Sequence, residues 1–369
     1  MDQKELNISF PKEGLRIKAT DLAIRNITGD SAIIQKVAAV CKWWYETDLP
    51  MSVSSSGSTG IPKKFSFQRT AVKTSIQMTT EALGLKHGMN ALLAIDPHYI
   101  GGRMMILRAL ENGMNLICTA PEGNPLEASG DTDNFDFAAF VPIQIESILS
   151  NSETTEKFSR IGRILIGGAP VSEKLKERLS GFPNRIYQTF GMTETLSHIA
   201  FKNLADRESS YVPLPGVIIS ADNRGCLVVE VPGLLETRLV TNDLITQESE
   251  NEFRWIGRID RRINSGGIKI SPELLEAKCE SLLCRYTDPT GYFFHWQADD
   301  RLGQKVVLVV TAESDLSSEV IKALTEGLKV VLEKYEMPKA ILQATKTCLT
   351  PGGKPDHQAT LDSAHQIWP

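Results

Sequence analysis

Ser54-Ser55-Ser56-Gly57-Ser58-Thr59-Gly60-Ile61-Pro62-Lys63-Lys64 is the stretch of this chain that most constrains its reading. A run of small residues lets the backbone curl so that several N–H groups point at one anion. The Ser and Thr hydroxyls add donors, and Lys63 or Lys64 adds charge. A Walker A loop is excluded, because Pro62 stands where that motif needs its Gly-Lys-Ser/Thr. A flexible Ser/Gly spacer is the plainer alternative, but Pro62 and the paired lysines do not suit a spacer.

Beyond this loop, short apolar runs alternate with helical patterns up to residue 190. Ala91–Ile95, Asn115–Thr119, Phe137–Val141 and Ile164–Ile166 read as strands, and Thr70–Leu83, Ile100–Leu110, Ile143–Leu149 and Ser172–Leu179 as helices. That order predicts an α/β fold with a mostly parallel sheet, whose ligands sit beyond the carboxyl ends of the strands. Between Val217 and Trp255 the runs Val217–Ser220, Leu227–Val231 and Phe253–Ile256 alternate and are split by turn signals, which predicts a small antiparallel β unit. After Asp260-Arg261-Arg262 a third pattern begins. Ser271 and Pro272 start a helix, Tyr292–Trp296 and Lys305–Thr311 read as strands, and Ser317–Lys334 as a long amphipathic helix. A large domain, 1–259, and a small α+β domain, 260–369, are therefore expected.

Composition excludes more than it names. With 369 residues, 41% hydrophobic and 23% charged, the chain reads as an ordinary globular protein of two or three domains. A net charge of −5 argues against broad electrostatic binding of nucleic acid or an anionic membrane. No apolar run reaches membrane-spanning length, and MDQKELNISF resembles no secretory leader. The six cysteines are scattered without a C-x-x-C pair, so a reducing cytoplasm is the expected location.

The glycine- and hydroxyl-rich loop resembles the phosphate loop of the adenylate-forming enzymes, which include acyl-CoA synthetases, adenylation domains of peptide synthetases, and luciferases. Further blocks resembling that family follow in order: Gly167-Gly168-Ala169-Pro170, Tyr187-Gln188-Thr189-Phe190-Gly191-Met192-Thr193-Glu194-Thr195, Leu239-Val240-Thr241-Asn242-Asp243, Trp255-Ile256-Gly257-Arg258-Ile259-Asp260, Ser265-Gly266-Gly267 and Thr350-Pro351-Gly352-Gly353-Lys354. The resemblance covers about residues 50–360. It departs from the family in Asn242, which replaces a usual Gly, and in how little chain precedes the loop.

The resemblance implies a role for each block. Ser55, Ser56, Gly57, Ser58, Thr59, Gly60 and Lys63 would hold the β- and γ-phosphates of ATP, and Gly168, Ala169 and Pro170 the adenine. Gly191 and Thr193 would approach the α-phosphate, and Glu194 would be the protein ligand of Mg2+. Asp243 would accept from the ribose hydroxyls and Arg258 would support the nucleotide. Asp260 would be the hinge of a mobile C-terminal domain. Gly266 and Gly267 would leave a passage for the pantetheine arm of CoA, and Lys354 would steady the reacting carboxylate and α-phosphate.

The run Thr193-Glu194-Thr195-Leu196-Ser197-His198, with Ser265-Gly266-Gly267 and His98-Tyr99-Ile100-Gly101-Gly102-Arg103, is most similar to the o-succinylbenzoate–CoA ligases of menaquinone biosynthesis. His98, Arg103, Arg108 and Ser197 then become candidate substrate contacts, with either arginine able to anchor a second carboxylate. The expected reaction partners are an aryl carboxylic acid, ATP and CoA, with no nucleic acid and no membrane; homo-oligomerisation stays open. Two alternatives remain: a freestanding adenylation enzyme that loads a carrier protein, and a non-catalytic nucleotide-binding homologue.

Overall fold

The computed structural model describes residues 6–25, 30–54, 63–127, 134–206, 209–287, 291–349 and 355–369. Six parallel strands form the centre of its main sheet. Their spatial order is Asn7–Phe10, Asn115–Cys118, Asn90–Leu93, Phe137–Phe140, Arg163–Ile166 and Arg185–Gly191. The inner strands Asn90–Leu93, Phe137–Phe140 and Arg163–Ile166 are almost wholly apolar because helices cover both faces. Leu93, Phe137, Ala139 and Leu165 enter one core, and Leu92, Ala138, Phe140, Ile164 and Ile166 enter the other.

The antiparallel region is not a separate unit. His198–Asn203 pairs with Arg185–Gly191, and the ladder continues through Tyr211–Pro213, Glu252–Arg258, Leu239–Ser249, Cys226–Glu230 and Ile218–Ala221 into one 13-stranded sheet. The elements before residue 68, among them the strand Asn7–Phe10 and the helix Ala32–Glu46, lie outside the sequence reading. That helix and Arg69–Leu83 flank the helix Ile100–Asn112, which explains why every residue from Met104 to Leu110 is buried.

Residues beyond 262 build a second, six-stranded sheet around Gly303–Thr311. The helices Pro272–Leu283 and Ser318–Val331 contribute Leu275, Cys279, Leu283, Leu324 and Leu328 to a core of its own. Contact with the first sheet runs through the helix Pro272–Leu283. Ser271 Oγ lies 3.1 Å from the Ile256 carbonyl, and the Glu280 carboxylate accepts from the backbone N–H of Glu173 and Lys174 at 2.9 and 3.2 Å. Ser271 is the N-cap by position, but its hydroxyl turns to that carbonyl and to Glu273 rather than capping the helix.

The strand Arg185–Gly191 ends where the chain must reverse within a few residues to pair with His198–Asn203. A Cβ at Gly191 would lie 2.4 Å from the Ser197 carbonyl oxygen and 2.5 Å from His198 Cα, both main-chain atoms that cannot swing aside. Gly191→Ala should therefore force the Gly191–His198 pairing apart and lower stability by about 1–3 kcal/mol. Urea denaturation measures this; an unchanged midpoint would mean that the reversal opens without cost.

Candidate active site

The reversal after Arg185–Gly191 carries two of the predicted residues. A single 3-10 turn, Thr193–Thr195, leaves Thr193 and Glu194 half-buried at the carboxyl edge of the parallel sheet. Thr195 closes that turn, its Oγ1 accepting from Met192 N at 3.1 Å and lying 2.8 Å from the Ser197 carbonyl. Leu196 then adopts φ 62°, ψ −46°, with Ser197 N donating to the Thr195 carbonyl at 2.6 Å. This is a classic γ-turn geometry, rare and strained for a branched residue, at a cost of about 1–3 kcal/mol. Complete burial of the Leu196 side chain and the following strand pairing hold it.

Gly168, Ala169 and Pro170 follow the neighbouring strand and are exposed at the same edge. Asp243 arrives from the antiparallel side. It is only 8% exposed, its Oδ1 accepts from Trp255 Nε1 at 2.9 Å, and its Oδ2 lies 3.9 Å from Arg258 Nη1. Burial raises its pKa above the usual carboxylate value. The Trp255 hydrogen bond and Arg258 oppose that rise, and the charges of Asp260 and Glu194 add to it. Glu194 is thus within electrostatic reach of Asp243. The Asn242 departure leaves Asp243 anchored: the Asp243 N–H donates to Thr241 Oγ1 at 3.0 Å.

Arg258 turns mainly to the predicted hinge residue, donating to both Asp260 carboxylate oxygens at 3.0 and 2.6 Å. The loop Ser55, Ser56, Gly57, Ser58, Thr59 and Gly60 lies outside the described residues, as does Lys354. Their anchors are described. Ser54 pairs with Lys64 across a two-stranded hairpin, and Leu349 bridges Pro355. Lys63 follows the loop at the entrance to that hairpin.

Among the described residues no cluster of three His, Cys, Asp or Glu forms a ready metal cage. A single half-buried carboxylate, Glu194, suits Mg2+, which keeps much of its shell as water and phosphate oxygen.

The four candidate substrate residues divide. His98 is exposed, its ring edge-on to Tyr99 and its backbone N–H donating to Asp96. Arg103 is committed to the main chain, donating to the Pro97 and Ser52 carbonyls at 3.2 and 3.1 Å. Arg108 lies five positions further along the same helix, a turn of about 140° away. It is 2% exposed, and Nη2 donates to Ser197 Oγ at 3.0 Å. The structure therefore brings Arg108 and Ser197 together and sets His98 and Arg103 apart from them.

Gly266 and Gly267, at φ 59° and 86°, form the exposed two-residue turn between Ile263–Ser265 and Ile268–Ile270. Positive φ at both positions is the type I′ requirement, and a Cβ at Gly267 would meet nothing within 4 Å.

Sequence reasoning assigned no role to Trp255, Thr79 or His198. Trp255 holds Asp243, while Thr79 Oγ1 lies 2.8 Å from His198 Nε2 beside Arg108. Trp255 stood inside a quoted block, whereas Thr79 belongs to a helix 119 residues away from His198 and has no local signal.

Comparison with known proteins places the chain in a family. Residues 31–236 match the AMP-binding enzyme family model. A probable 2-succinylbenzoate–CoA ligase from Mycobacterium tuberculosis is 23% identical over 326 residues, covering 80% of this chain and 79% of that one. The crystal structure of an acyl-CoA synthetase (AMP-forming)/AMP-acid ligase II-like protein from Dyadobacter fermentans is 35% identical, with a TM-score of 0.61, and covers 93% of this chain and 97% of its own. The o-succinylbenzoate CoA synthetase of Bacillus subtilis, in complex with its acyl-adenylate intermediate, has the same fold: TM-score 0.72 at 20% identity, over 86% of this chain and 69% of that one. No helix among the described residues is long and apolar enough to cross a membrane. The chain belongs to the AMP-binding enzyme family, the adenylate-forming enzymes that its ordered motifs resemble.

Proposed function

We propose that this chain is an ATP-dependent acid–CoA ligase working through an acyl-adenylate, and that its acid is o-succinylbenzoate. The observation that carries the reading is that Thr193 and Glu194 stand half-buried at the edge where the parallel strands end, with the Glu194 charge felt at the buried Asp243. The names of the relatives support the acid, as does a buried arginine beside Ser197.

In the first half-reaction a carboxylate oxygen attacks the α-phosphorus of ATP and pyrophosphate leaves. Two like unit charges ~4 Å apart repel by about 4 kcal/mol at an effective dielectric of 20, so the site must supply cations and donors. Thr193 would donate to the α-phosphate, Lys354 would bring an ammonium to the reacting oxygens, and the 55–60 loop would hold the β- and γ-phosphates. Mg2+ on Glu194 would neutralise phosphate charge. Asp243 would accept from the ribose. In the second half-reaction the CoA sulfur attacks the acyl carbon and AMP leaves.

The two steps need different groups at one centre. Asp260 is the proposed pivot between the bodies 1–259 and 260–369, and a swing there must carry Arg258 along or break its two hydrogen bonds to Asp260. The Gly266–Gly267 turn would then present bare backbone to the pantetheine arm.

Lys354→Ala should abolish pyrophosphate release while leaving thioester formation from supplied acyl-adenylate largely intact; equal loss of both steps would overturn this division of labour. Asn tolerates the left-handed backbone of the turn, so Gly267→Asn adds a side chain without breaking the hairpin. That variant should slow thioester formation and spare pyrophosphate release, and normal turnover with CoA would remove the passage. Nucleotide affinity should be full at neutral pH and fall as acid protonates Asp243, beginning above the ordinary carboxylate range because its pKa is raised. Calorimetric titration of Asp243→Asn should lose that step and bind weakly at every pH; an unaltered profile would exclude Asp243 from the nucleotide site.

A further inference from the structure

We propose that Glu280 is a latch between the two bodies: its carboxylate holds the small domain in the orientation seen here, and its release gates the second half-reaction. This rests on the ligase reading above, with its swing about Asp260, and deepens it by naming a contact that the swing must break.

The helix Glu173–Leu179 begins, as every helix does, with N–H groups that its own turns cannot satisfy. Ser172 Oγ accepts from the third of them, Leu175 N, at 3.1 Å. The first two, Glu173 N and Lys174 N, donate instead to the two carboxylate oxygens of Glu280 at 2.9 and 3.2 Å. A carboxylate there is favoured twice, by charge-assisted hydrogen bonds and by the positive end of the helix dipole. The small domain thus supplies the cap of a helix in the large one. That helix starts three residues after Pro170, so the contact ties the small domain to the element that carries the proposed adenine segment.

Glu280 has a leverage that contacts around the pivot lack. Arg261 Nη2 donates to Glu276 at 2.9 Å, and Glu276 also accepts from Phe294 N at 3.1 Å. The helix Pro272–Leu283 is therefore bound into the small domain directly after Asp260. Ser271, at its start, meets the Ile256 carbonyl beside the pivot segment. Glu280 lies nine residues further on, about 13 Å of helical rise away. A rotation of about 10° moves a point at that radius by about 2 Å, which carries it out of hydrogen-bond range. The swing cannot proceed without unseating this carboxylate.

The orientation that Glu280 holds is not the one that thioester formation needs. The Gly266–Gly267 turn is exposed, and a Cβ on Gly267 would meet nothing within 4 Å. The proposed pantetheine passage is not pressed against the large domain here, and forming it requires the latch to open.

The test reads orientation and chemistry separately, in the full chain. Spin labels on Ile143→Cys and Val330→Cys, both at exposed positions, report the separation of the two bodies by pulsed electron resonance, with Cys284→Ser and Cys348→Ser removing the half-buried thiols. Glu280→Ala should broaden or shift that distance distribution. Glu173→Pro should do the same from the other side of the contact by removing a donor. Proline suits this first helical position, and Ser172 already has the extended backbone (φ −63°, ψ 152°) that precedes it. A distribution unchanged in Glu280→Ala, or in Glu173→Pro should the first fail to fold, overturns the latch. With acyl-adenylate supplied, Glu280→Ala should form thioester with CoA about 3- to 10-fold faster, while pyrophosphate release from ATP is no faster. Glu280→Gln, neutral but keeping one acceptor, should fall between. An unchanged thioester rate in a folded, unlatched variant overturns the gating. If no acid releases pyrophosphate, the ligase reading fails on its own account, and the labels judge the latch by the same criterion.

Discussion

The chain reversal between Gly191 and His198 is the constraint on which the rest of the site depends. It joins the last parallel strand to the first antiparallel one, so both halves of the 13-stranded sheet share their backbone ladder there. Six residues must turn the chain around, and they do so with a glycine pressed against main chain, a 3-10 turn closed by Thr195, and a γ-turn at Leu196. Such strain persists only where the surroundings over-determine it. Here the fully buried Leu196 and the paired strand do so, and the same geometry sets the directions of Thr193, Glu194 and Ser197.

Charge at the site is unbalanced in two opposite senses. Burial above all makes the Asp243 carboxyl resist ionisation, the charges of Asp260 and Glu194 add to this, and Arg258 is the described cation beside Asp243 and Asp260. A few residues away Arg108 holds a positive charge among neutral groups. In the proposed reading Mg2+ would meet Glu194 alone, while Asp243 would accept from ribose hydroxyls. Neither half of the imbalance serves stability by itself, since unpaired buried charge is costly.

Much of this was legible in the sequence, and what was missed has physical causes. The strands Asn90–Leu93, Phe137–Phe140 and Arg163–Ile166 announced themselves as short apolar runs because both of their faces are covered. The helix Ile100–Asn112 could be placed, but its all-round burial could not, since that depends on the helices Ala32–Glu46 and Arg69–Leu83 packing over it. For that reason Arg103 and Arg108 looked equivalent as a sequence and are opposite in the fold. The continuity of the antiparallel strands with the main sheet was likewise hidden, because local alternation says nothing about which edge a strand joins. Motif order located Asp243 but not the Trp255 side chain that donates to it. The partnership of Thr79 with His198 joins segments that nothing local connects.

The bond from Arg103 to the Ser52 carbonyl has a mechanical consequence. Ser52 lies two residues before the end of the strand that leads into the serine- and glycine-rich loop, while Arg108 lies on the same rigid helix as Arg103. A displacement of that helix would therefore bear on the strand Met51–Ser54 through the guanidinium. If the proposed phosphate role of residues 55–60 holds, the helix Ile100–Asn112 and the stem of that stretch are tied together through Arg103.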